Sequence, residues 1–183
     1  MQLNSSDGAS ITLRIAGYWY PGYYQAPPPE ALQRLMGGAN LPGVAGESDL
    51  NWLQVCGNIT PAVGTSWAFA DPCLTTAEAR ELGDWLRLVA AGTEPPFRGY
   101  REPQGWLIFT EPNLGFTLKD RTAGRVRITV AFTLEVAPPW FLGGQPHAPS
   151  SGLVHLDVSA EEVAQAAESW MRDLAELPER EQR

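Results

Sequence analysis

The sequence is short of cysteine, histidine and basic residues, and it lacks any long apolar run. Only Cys56 and Cys73 are present. In a reducing cytoplasm such a pair stays as free thiols. No CxxC or HxxxH spacing accompanies them, so a zinc site built from both cysteines and one histidine has no motif behind it. No metal or other cofactor is expected. Lys and Arg total 13 against 21 Asp and Glu, giving a net charge of −8 and a pI near 4.7. Such a chain repels phosphate, which argues against binding nucleic acid or an anionic membrane. A basic protein partner would be attracted instead. No stretch approaches the roughly 18 apolar residues that a spanning helix needs. The N-terminal MQLNSSDGAS is polar, so no signal peptide is read there and a cytoplasmic location is expected. Nucleotide loops of the GxGxxG or GxxxxGK[ST] type are missing, as is a GxSxG elbow.

What remains is a globular composition. The chain has 183 residues, 44 % of them apolar, with seven Trp. That suits one domain with a real core. Residues 10–18 alternate, with Ile11, Leu13 and Ile15 against Thr12 and Arg14, and predict a half-buried strand. Residues 20–48 are rich in Pro, Gly and Tyr and read as an inserted loop with a short helix near Pro29 to Met36. Further strands are expected at about 50–59, 65–71, 106–110, 114–118 and 153–158. The clearest strand runs from Arg125 to Val136, with Val126, Ile128, Val130, Phe132, Leu134 and Val136 on one face. Thr75 with Glu78, and Ser159 with Glu162, form capping boxes before two amphipathic helices. Leu82, Trp85, Leu86 and Val89 mark the first apolar stripe. Val163, Ala166, Ala167, Trp170, Leu174 and Leu177 mark the second. The charged tail at 178–183 is expected to fray. Strands in runs broken by two helices predict an α+β fold. Its expected form is a curved, mainly antiparallel sheet of about six or seven strands, with both helices on one face.

Candidate site residues are few. FADPCL (69–74) and FTEPNL (109–114) share Phe, an acid, Pro and Leu. The first is followed by a helix and the second by a strand, so they do not mark a duplication. One reading makes Asp71 and Glu111 strand-exit acids that accept local N–H bonds, with Pro ending the pairing. The rival reading makes them a glycosidase-like acid and nucleophile. His155 shares a strand face with Asp157, which would orient its ring in a hydrolase. His147 lies in the loop GGQPHAPSSG and reads as solvated. Tyr18, Tyr20, Tyr23 and Tyr24 suit protein recognition, since each ring offers large area at low entropy cost. They equally suit a loop packed down by its own aromatics. The half-polar face of the strand ending at Glu135 is the other expected partner surface.

The runs ITLRIAGYWYP, DLNWLQVCGNI, SWAFADPCLTTAEARELGDWL, LIFTEPNLGF, VRITVAFTLEVAPPW and LVHLDVSAEEVAQAA together resemble the WapI family of bacterial immunity proteins. The resemblance covers about residues 10–20 and 50–175. Its most specific part is the DPCLTT run opening the first helix, with the later FTEPNL and APPW. It implies a non-enzymatic cytoplasmic protein that binds the toxic C-terminal domain of a contact-delivered polymorphic toxin, a nuclease in the founding pair. Loop 20–48 is longer than the family pattern, which leaves the toxin's identity open. The alternatives are a small hydrolase using Asp71, Glu111 or His155, and a binding module with some other partner.

Overall fold

The computed structural model of the chain describes residues 1–19, 51–97, 105–140 and 152–177. The element order is β1 (Gln2–Asn4), β2 (Ser10–Tyr18), β3 (Trp52–Thr60), β4 (Trp67–Thr75), α1 (Thr76–Ala91), β5 (Leu107–Ile108), β6 (Leu114–Thr122), β7 (Arg125–Phe132), a 3-10 turn (Leu134–Val136), β8 (Leu153–Ser159) and α2 (Ala160–Ala175). The class is α+β, as the sequence predicts. The strand count is higher, and the strands form two sheets where one was expected. Each sheet is an antiparallel meander of four strands, β1-β2-β3-β4 and β5-β6-β7-β8. A capped helix follows each one, so the chain uses one plan twice. The two acid–proline boxes take different places in that plan, the first in β4 and the second between β5 and β6.

The sheets meet along β1 and β8. Ser6 N–H donates to the Asp157 carbonyl at 3.3 Å, and Asp157 N–H donates to Ser5 Oγ at 2.9 Å. β1 escaped the sequence reading because Leu3 is its only apolar residue, too little to show a period. The long strand expected to reach Val136 stops at Phe132. Leu134 takes a positive φ of 51°, which no strand residue adopts, and the chain turns there. Leu134 is consequently half-exposed, while Val136 is still buried.

Both capping boxes form as predicted. Thr75 N–H donates to Glu78 Oε2 at 2.8 Å, and Ser159 N–H to Glu162 Oε2 at 2.8 Å. Gly92, with φ of 83°, ends α1. The last turn of α1 has no basic residue of its own. Arg121 from β6 supplies one, donating from Nη2 to the Val89 carbonyl at 2.7 Å. α2 ends at Ala175, so Leu177 packs on the core from just beyond the helix.

The helices do not simply cover the sheets they follow. Trp85 of α1 lies against Phe116 of β6, with ring centroids 6.0 Å apart. α2 packs against β1 and β2 as well as β8. The helices also clasp each other. Trp170, fully buried, donates from Nε1 to the Ala79 carbonyl at 2.7 Å. Gly83 makes the close approach possible, since a Cβ there would overlap the Met171 side chain. Apolar residues of both sheets and both helices form one continuous cluster. The short helix expected near Pro29 to Met36 and the tail lie outside the described residues.

Two outcomes follow from this layout. Trp85→Ala and Trp170→Ala should each cost about 3–5 kcal/mol, read as a lower denaturant midpoint. Unchanged midpoints in both would contradict the helix packing. The β6–β7 hairpin turns on Ala123 and Gly124, with φ of 43° and 81°. Two positive values fit a type I′ turn, which prefers Asn at the first position. Ala123→Asn should therefore raise stability by roughly 0.5–1 kcal/mol in thermal melts.

Candidate functional site

The site grows from β4. Trp67, Phe69 and Asp71 sit at alternate positions of this strand. The two rings are buried, and Asp71 is half-buried where the inward face runs out. Pro72 does not end the strand. Asp71 pairs with Val55 and Leu74 with Leu53, so Pro72 and Cys73 bulge opposite Gln54 and pairing resumes beyond them. A bulge is where a proline, lacking a donor, fits a paired strand.

The second box locks onto the first. Asn113, 2 % exposed, donates from Nδ2 to Asp71 Oδ1 at 3.0 Å. Thr110 N–H donates to Glu78 Oε1 at 2.7 Å. One carboxylate thus caps α1 and also holds the turn that carries the second box. Thr133 N–H donates to the Asn113 carbonyl at 2.9 Å, and the Thr133 hydroxyl donates to the Pro112 carbonyl. This places the 3-10 turn, and Glu135 on it, beside Asp71. The expectation that Asp71 accepts local N–H bonds is therefore corrected: its amide partner arrives from the other box.

Asp71 lies within electrostatic reach of Glu135 and, more weakly, of Glu111. Burial pushes the Asp71 carboxyl up to about 6. The negative charge of Glu135 adds to this, the Asn113 amide opposes it, and Glu111 adds a smaller contribution. Glu135 and Glu111 are exposed. Glu135 does not sit on a sheet face, as the sequence reading had it, because the strand has already ended. Burial of Glu78 would raise its carboxyl, but the donors of Thr75 and Thr110 outweigh that and hold it below the usual range.

His155 is placed differently. Its Nδ1 lies 2.9 Å from Thr129 Oγ1 on the neighbouring strand. Asp157, expected to orient the ring, instead accepts from Arg125 Nε at 2.6 Å. The strand twist and cross-strand pairing favour the neighbour over the residue two places along. Cys56 and Cys73 are free thiols, and burial pushes both up. Among the described residues no group of three or more His, Cys, Asp and Glu is arranged for a metal. Tyr18 is half-buried and packs against the core. Tyr20, Tyr23, Tyr24, His147 and the whole of loop 20–48 lie outside the described residues.

Sequence reasoning missed a groove at the start of β4. Pro61, Val63, Trp67, Trp140 and Leu153 line a space of about 370 Å³, with Gly64 and Thr65 at its rim. Trp140 meets Trp67 edge-on with centroids 5.8 Å apart, and Trp67 meets Phe132 at 5.4 Å. Trp67 Nε1 donates to the Val136 carbonyl at 3.2 Å, tying groove to 3-10 turn. The APPW motif was the available signal, since a Trp after two prolines cannot continue a strand into the core.

The chain matches the model of the Immunity protein WapI-like family over residues 2–178. It belongs to that family, and the class of protein is an immunity protein. No curated protein matches the chain. No helix among the described residues is long and apolar enough to cross a membrane.

The Asp71 environment gives a signed pH effect. A carboxyl raised from 3.8 to about 6 in the folded state contributes stability that is fully present below the unfolded value. That stability is lost as pH rises through about 6. Asp71→Asn removes the charge and keeps an acceptor for Asn113. The variant should match the wild type near pH 4 and exceed it by about 1–2 kcal/mol at pH 7.5, a figure reduced for the solvent screening of a half-buried group. Urea titrations at both pH values check this. A difference that does not change with pH would refute it.

Proposed function

We propose that the protein is a non-enzymatic immunity protein that binds and neutralises the C-terminal toxin domain of a contact-delivered polymorphic toxin. The proposed toxin is a basic nuclease, and the proposed place of action is the cytoplasm. The observation that carries this reading is the family match over residues 2–178. The net charge of −8 supports it, because a nuclease that grips phosphate presents basic surface. The tyrosine-rich segment at 20–48, with Tyr18, Tyr20, Tyr23 and Tyr24, is proposed on composition as one contact region. Masking the toxin requires affinity and no bond-making chemistry.

A hydrolase is favoured by one observation. Asp71, held near pH 6 beside Glu111, has the protonation of a general acid. A hydrolysis by the purified protein that a folded Asp71→Asn variant loses would favour the hydrolase, and its absence favours binding.

Co-expression with the C-terminal domain of the toxin encoded by the adjacent gene tests the proposal. Cells carrying both should survive, and cells carrying only the toxin domain should die. Equal death in both would end the proposal for that pair. Kinetics should show the field of the acidic protein. Raising salt from about 20 to 150 mM should slow association several-fold and change dissociation less.

A further inference from the structure

The geometry points to a partner site along the seam between β4 and the 3-10 turn, which we propose receives a basic side chain of the toxin at its acidic end and a neighbouring apolar side chain in its aromatic groove. This rests on the reading of the protein as a toxin-binding one.

The acidic end has acceptors in excess. The charges of Glu135 and, more weakly, Glu111 reach Asp71 there, and the ion pairs formed among the described residues, Arg87 with Asp84 and Arg125 with Asp157, leave all three out. Asn113 commits its Nδ2 to Asp71, and its own Oδ1 is buried with no hydrogen-bond partner among the described residues. A corner of acceptors is completed by a donor-rich cation. A guanidinium brings five N–H groups and a charge of the right sign. Nucleic acid brings only more negative charge.

The groove supplies the second half. Val63 is 90 % exposed and Trp140 50 % in the groove, and Leu134, next to Glu135 on the 3-10 turn, is 50 % exposed. Large apolar side chains left open beside carboxylates have the composition of an interface centre, where desolvation strengthens the charged contact. Both ends lie on one rigid strand. Trp67 and Asp71 are four residues apart on β4, about 13 Å at the usual strand rise. The toxin should therefore present its basic and apolar anchors at roughly that separation.

The test measures affinity for the toxin domain encoded by the adjacent gene, by titration calorimetry at physiological salt. Glu135→Lys should weaken binding about 30-fold or more, and Trp140→Ala about tenfold. Glu168→Lys makes the same charge change on the exposed face of α2. It should weaken binding less than about threefold, since only the general field changes. Both seam positions are exposed, and Glu135→Gln serves if the lysine variant fails to fold. If the wild type binds and the seam variants bind within threefold of it, the site is wrong and the immunity reading stands. If the wild type itself does not bind, the immunity reading fails for that toxin and takes the site with it.

Discussion

The exchange of helices is the constraint on which this structure depends. Each sheet has one apolar face, and a meander of four strands cannot bury that face alone. α1 follows the first sheet and places Trp85 on Phe116 of the second. α2 follows the second sheet and packs on β1 and β2 of the first. Trp170 closes the crossing by spending its only donor on the Ala79 carbonyl, inside a core where an unpaired N–H is expensive. With the helices crossed in this way, neither half completes its core without the other.

The same crossing decides what the two acid–proline boxes are for. They are neither repeats nor independent turns. Glu78 caps α1 and holds Thr110, and Asn113 holds Asp71. The first box leads into α1 and the second into β6, so these bonds fasten the end of one half to the start of the other. A cost accompanies the lock. Asp71 is brought among other carboxylates and out of water, and its charge is disfavoured. Natural proteins tolerate such local conflict where a site is served by it.

Legibility followed the range of the interactions. The capping boxes were readable because Thr75 with Glu78, and Ser159 with Glu162, act within one helical turn. Strands Ser10–Tyr18 and Leu153–Ser159 were readable because Ile11, Leu13 and Ile15, and Val154, Leu156 and Val158, alternate with polar residues, the first pattern breaking only at a bulge between Ile15 and Gly17. β7 was over-extended because Leu134 and Val136 keep the period, while the backbone turns on a φ that a period cannot report. β4 was cut short because Pro72 reads as a stop until the bulge opposite Gln54 is seen. The division into two sheets was hidden because alternation shows that a strand is half-buried and not which strand it pairs with. At the site, Asp71, Glu111 and Glu135 were each singled out, but the reach of the two glutamates to Asp71 depends on Asn113 and Thr133, whose bonds span the fold. The groove was missed because Val63 and Trp140 lie outside every periodic segment.

The seam joining these boxes is proposed to serve recognition. Hydrogen–deuterium exchange, run on the protein alone and then with the toxin domain bound, addresses it without altering a side chain. Toxin binding at the seam should slow exchange at residues 63–65 and 134–137, with little change on the exposed face of α2. Protection confined to α2, with those two stretches unaffected, would contradict it.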